Sequence, residues 1–166
     1  MQHMLTRIIA DGAVVPVVIL GAWALLVHVR GNRYQAYARI LLAGLTAYMA
    51  AKFIGTVFQP ETMRPFEKLG VDAGAAYLNN PGFPSDHVLF CVAIVLAVWF
   101  ETRNKKITLI LAGLTALVAI GRVVALVHTP LDVIGGIFIA FVGVPWYFQR
   151  PKILTKARQK TKTTVK

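Results

Sequence analysis

Apolar residues in this 166-residue chain gather in long runs separated by short polar links. They do not follow the stripe of an amphipathic surface helix or the alternation of a half-buried strand. Five runs stand out: Ala13–Val29, Ile40–Phe58, Val88–Phe100, Ile107–Val127 and Leu131–Phe148. A helix needs about 20 residues to cross the hydrocarbon of a bilayer, so four of these runs approach or reach the length of a span. The run from Val88 is short, and is expected to start within a recessed pocket or to continue to Arg103. The expected fold is all-α, a polytopic transmembrane helix bundle with about five spans. Ahead of the first span, Met1, Met4, Leu5 and Ile8 fall at helical spacing opposite Gln2, Thr6 and Arg7. That pattern suits an N-terminal interfacial helix. A cleaved signal peptide is the competing reading, but a basic start, short apolar core and clear cleavage site are not evident.

Composition agrees with this reading. Apolar residues make up 57% and charged residues only 15%, against about 25% in a soluble domain, and mean hydropathy is +0.62. The lone cysteine, Cys91, lies inside an apolar run, so no intrachain disulfide can form and a small core residue is the simplest role for it.

Charge orients the spans. The link after the first span carries Arg30, Arg33 and Arg39, and the link after the third carries Arg103, Lys105 and Lys106 against Glu101. The segment from Gln149 onward holds seven Lys or Arg and no acid. Together these segments contain 13 of the 18 basic residues, and alternate crossings bring all three to one side. Asp11, Glu61, Glu67, Asp72, Asp86 and Asp132 fall on the other side. By the positive-inside rule the basic side is cytoplasmic, giving an outer N-terminus and an inner C-terminus. Residues 1–150 then form one transmembrane domain and residues 151–166 a basic cytoplasmic tail, read as disordered. The net charge of +11 points to anionic headgroups near that tail rather than nucleic acid, because the tail has no interleaved aromatic residues.

Candidate chemistry gathers on the acidic side. Three segments converge there: Arg64-Pro65-Phe66, Phe83-Pro84-Ser85-Asp86-His87, and Gly121-Arg122 followed by His128 and Asp132. Ionisable residues at membrane depth are costly unless they serve function. If His128 and Asp132 share the first turn of the last span, the carboxylate can hold one ring nitrogen and leave the other as a nucleophile. Capping of a helix end is the alternative for that pair. The planar fork of Arg122 suits phosphoryl oxygens. Ser85 or Asp86 can cap the third span, and the free N–H groups at a helix start also attract an anion. His87 on that first turn can act as a general acid. One histidine to attack and one to protonate is a workable division for phosphoryl transfer with neither metal nor cofactor.

These residues resemble the type 2 phosphatidic acid phosphatase superfamily. Its pattern is Lys-x6-Arg-Pro, then Pro-Ser-Gly-His, then Ser-Arg-x5-His-x3-Asp. This chain has Arg64-Pro65, Pro84-Ser85-Asp86-His87 and Gly121-Arg122-x5-His128-x3-Asp132, within a resemblance spanning about Gly31 to Phe148. The resemblance implies a phosphohistidine at His128 oriented by Asp132, with His87 as acid and then base. It also implies phosphate binding by Arg64, Arg122 and Ser85. Three positions depart from the pattern. Val57 stands where the lysine belongs, with Lys52 the nearest substitute; Gly121 replaces the serine; Asp86 replaces the glycine. Lys52 reaches the site if Gln59–Met63 bulges, and otherwise snorkels along its span. Pro-Ser-Asp-His is similar to the bacitracin-resistance branch, the undecaprenyl pyrophosphate phosphatases, as are Arg64-Pro65-Phe66 and Gly31-Asn32. That branch implies a polyprenyl pyrophosphate substrate at the outer face of a bacterial plasma membrane, in cell-wall lipid recycling. A pyrophosphate leaves as a lipid monophosphate, a better leaving group than an alkoxide. The general acid then has less to do, and a carboxylate beside His87 becomes tolerable; Asp86 could hold His87 protonated.

Other readings stay open. Phosphatidic acid or phosphatidylglycerol phosphate would be the substrate in other branches of the superfamily. A metal-dependent hydrolase could use His87, His128 and Asp132 as ligands, although Arg64 and Arg122 would repel the cation. A non-enzymatic membrane subunit would have no need of this ionisable cluster.

Orientation is directly testable. Cysteines placed in the loop Gln59–Pro84 of a Cys91→Ala background should react with an impermeant maleimide in intact cells, and cysteines in the tail should not. Labelling of the tail in unbroken cells would reverse the orientation.

Overall fold

The computed structural model describes residues 7–78 and 82–149, and every regular element among them is helical. The expected tail, and the first six residues of the expected interfacial helix, lie outside the described residues. A π-helical turn, Ile8–Gly12, leads straight into α1, Val14–His28. The described part of the N-terminal segment therefore joins the first span rather than forming a separate helix.

The remaining elements are α2 (Arg33–Val57), α3 (Pro65–Leu69), α4 (Asp86–Thr102), α5 (Lys105–Val124) and α6 (Pro130–Ala140), with a 3-10 turn and α7 (Pro145–Phe148) continuing the line of α6. Sequence-local signals start most of them. Asn32 and Asn104 accept backbone N–H bonds at the starts of α2 and α5, and Thr129 does so for α6. Pro65 and Pro130 occupy first helical turns, where their missing N–H is not needed.

Ile9–His28, Arg33–Val57, Lys105–Val124 and Pro130–Phe148 are each long and apolar enough to cross a membrane. The short third run becomes α4, whose 17 residues span about 25 Å and which takes in both Asp86 and Thr102. It is the central helix, packed on α1, α2, α5 and α6. The chain thus passes between the ends of the bundle five times.

Lipid is the solvent that this exterior requires. Leu41, Met49, Phe53, Leu109, Ile120 and Phe138 all point outward, with exposures of 59–75%. On α2 the inward stripe is Ala36, Ala43, Ala47 and Ala51. Where lipid tails are as apolar as side chains, small residues at four-residue spacing allow helices to approach closely enough for dispersion contact. Gly136 serves the same end: a Cβ there would lie 2.7 Å from the Ser85 carbonyl oxygen, so α6 could not back onto the start of α4.

The basic links meet at one end, as their alternate placement requires. Arg39 donates through Nε and Nη2 to the two carboxylate oxygens of Glu101, each at 2.7 Å, and the Arg30 N–H donates to the Glu101 carbonyl. Glu101 is buried, so this bidentate pair joins α2 to the end of α4 in a low-dielectric setting. Removing one partner of such a pair leaves the other charge stranded, at a cost of about 3–5 kcal/mol. Glu101→Ala should therefore lower the thermal unfolding temperature in detergent substantially, and Glu101→Gln should lower it less. An unchanged unfolding temperature for Glu101→Ala would show that the pair contributes no net stability.

Candidate active site

The opposite end of the bundle holds all three motifs. The C-terminal part of α2, the N-terminus of α4, the end of α5 and the start of α6 surround a cavity of about 200 Å³. Lys52, Arg64, Asp86, His87, Arg122 and His128 line it, together with Gly55, Thr56, Gln59 and Phe83. Six of the eight expected site residues therefore share one cavity. Ser85 and Asp132 stand behind the wall and are joined to each other, with the Ser85 N–H donating to the Asp132 carbonyl at 3.0 Å.

The two positions on α2 differ in placement. Lys52 faces the cavity, whereas Val57, at the spacing where the motif has its lysine, is 69% exposed at the end of the helix. Lys52 Nζ donates to both carboxylate oxygens of Asp86, at 2.9 and 2.8 Å. Asp86 is thus engaged with Lys52, not set against His87 alone as the sequence suggested. Gln59, which sequence reasoning did not single out, ties the end of α2 to motif two by donating to the carbonyls of Gly55 and Phe83.

Arg64 is 6% exposed at the start of α3. Its guanidinium donates to the Val127 carbonyl at 2.5 Å and the Leu78 carbonyl at 3.1 Å, and lies 5.5 Å from the centre of the Tyr77 ring. Burial lowers its pKa and the nearby Asp132 carboxylate opposes that shift, so it stays a cation at physiological pH. Arg122, at the end of α5, is 1% exposed and donates through Nη1 to Asp11 Oδ1 at 2.7 Å. Asp11 is a second residue the sequence reading passed over; its only signal was an acid immediately before the first span, on the side of the motifs.

His128 precedes α6 rather than sitting on its first turn. Thr129 is the N-cap and Asp132 completes a capping box, accepting the Thr129 N–H at 2.8 Å while Thr129 Oγ1 accepts the Asp132 N–H. Asp132 nevertheless reaches His128, with Oδ2 lying 3.5 Å from Nδ1. Capping and histidine orientation, alternatives at the level of sequence, share one carboxylate. That separation is long for a hydrogen bond, and Nδ1 has no closer acceptor among the described residues. Ser85 Oγ and Arg122 Nε are likewise buried without a protein partner, so two donors beside the cavity are not spent within the fold.

The chain matches the PAP2 superfamily over residues 33–156 and belongs to that family. Among curated proteins it is 30% identical over 112 residues to undecaprenyl-diphosphatase BcrC of Bacillus subtilis (strain 168), covering 65% of this chain and 55% of that protein. It is 29% identical over 129 residues to YbjG of Escherichia coli (strain K12), provisionally named an undecaprenyl-diphosphatase, covering 76% of this chain and 60% of that one. The matched regions thus span little more than half the length of these relatives. No solved structure matches.

Burial pushes the His128 pKa below its ordinary value of 6.5, with Arg122 and Arg64 lowering it further against the opposing pull of Asp132. The imidazole is therefore neutral at pH 7. Above pH 6.5 both folded and unfolded states are neutral at this site; below it the unfolded state takes up a proton first, so stability falls towards the depressed folded pKa. Between pH 7.5 and 5, the unfolding temperature of wild type should drop more than that of His128→Gln. Equal drops would show that His128 titrates normally.

Proposed function

We propose that this membrane protein is a lipid phosphatase that hydrolyses a polyprenyl (undecaprenyl) pyrophosphate to the monophosphate through a phosphohistidine. The observation that carries the reading is the meeting of two histidines and three basic side chains at one cavity on the end of the bundle. Family membership and the names of the two relatives support the substrate class.

In this reading Lys52, Arg64 and Arg122 bind the oxygens of the terminal phosphoryl group, and Ser85 Oγ and the start of α4 support them. With Nδ1 of His128 turned towards Asp132, Nε2 carries the lone pair. It attacks the terminal phosphorus, and the bond from that phosphorus to the bridging oxygen breaks. His87 gives a proton to the departing lipid monophosphate. It then takes a proton from water, which attacks the phosphohistidine, releasing inorganic phosphate and restoring His128. Fixed cationic donors supply the transition-state stabilisation, with no step requiring a metal or cofactor. The basic links at the far end of the bundle support an outward-facing cavity in a bacterial plasma membrane.

Asp86 bears on substrate choice. Its contact with Lys52 leaves that cation balanced in the resting site, and a pyrophosphate is more charged than a monoester and better able to compete for it. Purified protein should release phosphate from polyprenyl pyrophosphate faster than from phosphatidic acid, with vanadate inhibiting and a chelator having no effect. His128→Ala should abolish turnover, and Arg64→Ala should reduce it about a hundredfold or more. Asp86→Gly should narrow the preference for pyrophosphate. Wild-type turnover by His128→Ala would overturn the mechanism, faster turnover of phosphatidic acid the substrate, and loss of activity to a chelator the metal-free chemistry.

A further inference from the structure

Arg122 is held by a part of the chain that none of the three motifs includes. Asp11 Oδ1 accepts from its Nη1 at 2.7 Å, and Asp11 Oδ2 accepts the Ala76 N–H at 2.9 Å. Arg122 lines the cavity and Asp11 is not among the residues that do, and the buried Nε of Arg122 has no hydrogen-bond partner among the described residues. The carboxylate is therefore fixed between the N-terminal turn and the 74–76 loop, one oxygen on the guanidinium and the other on the Ala76 N–H.

Gly121 makes this grip possible. A Cβ at Gly121 would lie 2.9 Å from Ala10 Cα and 3.0 Å from Ala10 N, so any side chain there would push the π-helical turn off the end of α5. The departure from serine at this position and the arrival of Asp11 at Arg122 are two aspects of one packing arrangement. Ala10 is fully buried and joins Phe66, Ala75, Ala125 and Val127 in a cluster beneath the outer loop, which anchors the turn.

We propose that Asp11 is a positioning residue for phosphoryl transfer: it holds the Arg122 guanidinium in register with the reacting phosphoryl group, and Gly121 provides the space for it to do so. The inference rests on the phosphate-binding role of Arg122 given above. A guanidinium without its anchor still attracts the substrate but is misplaced for the transition state, where displacement of about 1 Å can cost a hundredfold.

The test uses the full chain in detergent micelles, with phosphate release from polyprenyl pyrophosphate measured at varied substrate and vanadate. Asp11→Asn should lower kcat by about ten- to a hundredfold with KM changed by no more than about threefold, and should weaken vanadate inhibition in step with kcat. Asp11→Glu should recover part of the loss, which a merely structural role would not predict. Gly121→Ser keeps Asp11 but displaces its turn, and should reproduce the kcat defect; it carries the test if Asp11→Asn does not fold. Wild-type kcat in Asp11→Asn, or in Gly121→Ser should that variant stand in, would overturn the proposal. So would tighter vanadate binding on loss of the carboxylate, which would make Asp11 a competitor of the phosphate. Arg122→Ala separates this from the underlying reading. Full activity in Arg122→Ala removes the phosphate role of Arg122 itself, whereas an inactive Arg122→Ala beside a fully active Asp11→Asn removes only the role of Asp11.

Discussion

Three cations line one cavity at the end of an apolar helix bundle, each must be neutralised or solvated by the protein, and most of the architecture around the cavity follows from how this is done. Arg122 meets Asp11, Lys52 meets Asp86, and Arg64 is met by the carbonyls of Val127 and Leu78. Each contact joins segments far apart in the chain. Satisfying the cations therefore gathers the N-terminal turn, the end of α2, the loop that carries Arg64 and Leu78, the start of α4 and the turn into α6 around one cavity. Uncompensated charge at this depth is costly, so the gathering is enforced by the same low dielectric that makes these groups useful.

The helices below supply rigidity without specificity of their own. Their outward faces are large and apolar, and their inward contacts are made by alanine and glycine, as on α2 and at Gly136. Close approach of backbones fixes the relative heights of the helix ends, and that fixes the distances across the cavity. Gly136 illustrates the link, since contact of α6 with the start of α4 brings the Asp132 carbonyl to the Ser85 N–H. The ion pair of Arg39 with Glu101 performs the equivalent task at the far end.

Charge balance also sets the resting electrostatics of the cavity. Two of its cations already hold carboxylates, Lys52 that of Asp86 and Arg122 that of Asp11. Such pairing leaves the resting cavity less cationic than its basic residues alone would make it.

What the sequence determined by itself was the periodic and the local. Runs of apolar residues required membrane helices, alternate basic links required the two ends of the bundle to differ, and motif spacing singled out Arg64, His87, Arg122, His128 and Asp132. Such signals are readable because a helix repeats every 3.6 residues and because a cap or a turn involves only near neighbours. The tertiary structure decided the rest. It placed Lys52 at the cavity and Val57 on the exterior, and paired Lys52 with Asp86, 34 residues away. It brought Asp11 to Arg122 across 111 residues, and it gave the glycine at 121 its reason in the passage of Ala10. No window of sequence contains both partners of these contacts. Their geometry exists only once five helices have packed, because ion pairing across a bundle depends on helix height and rotation, which are set by contacts along the whole length of each span.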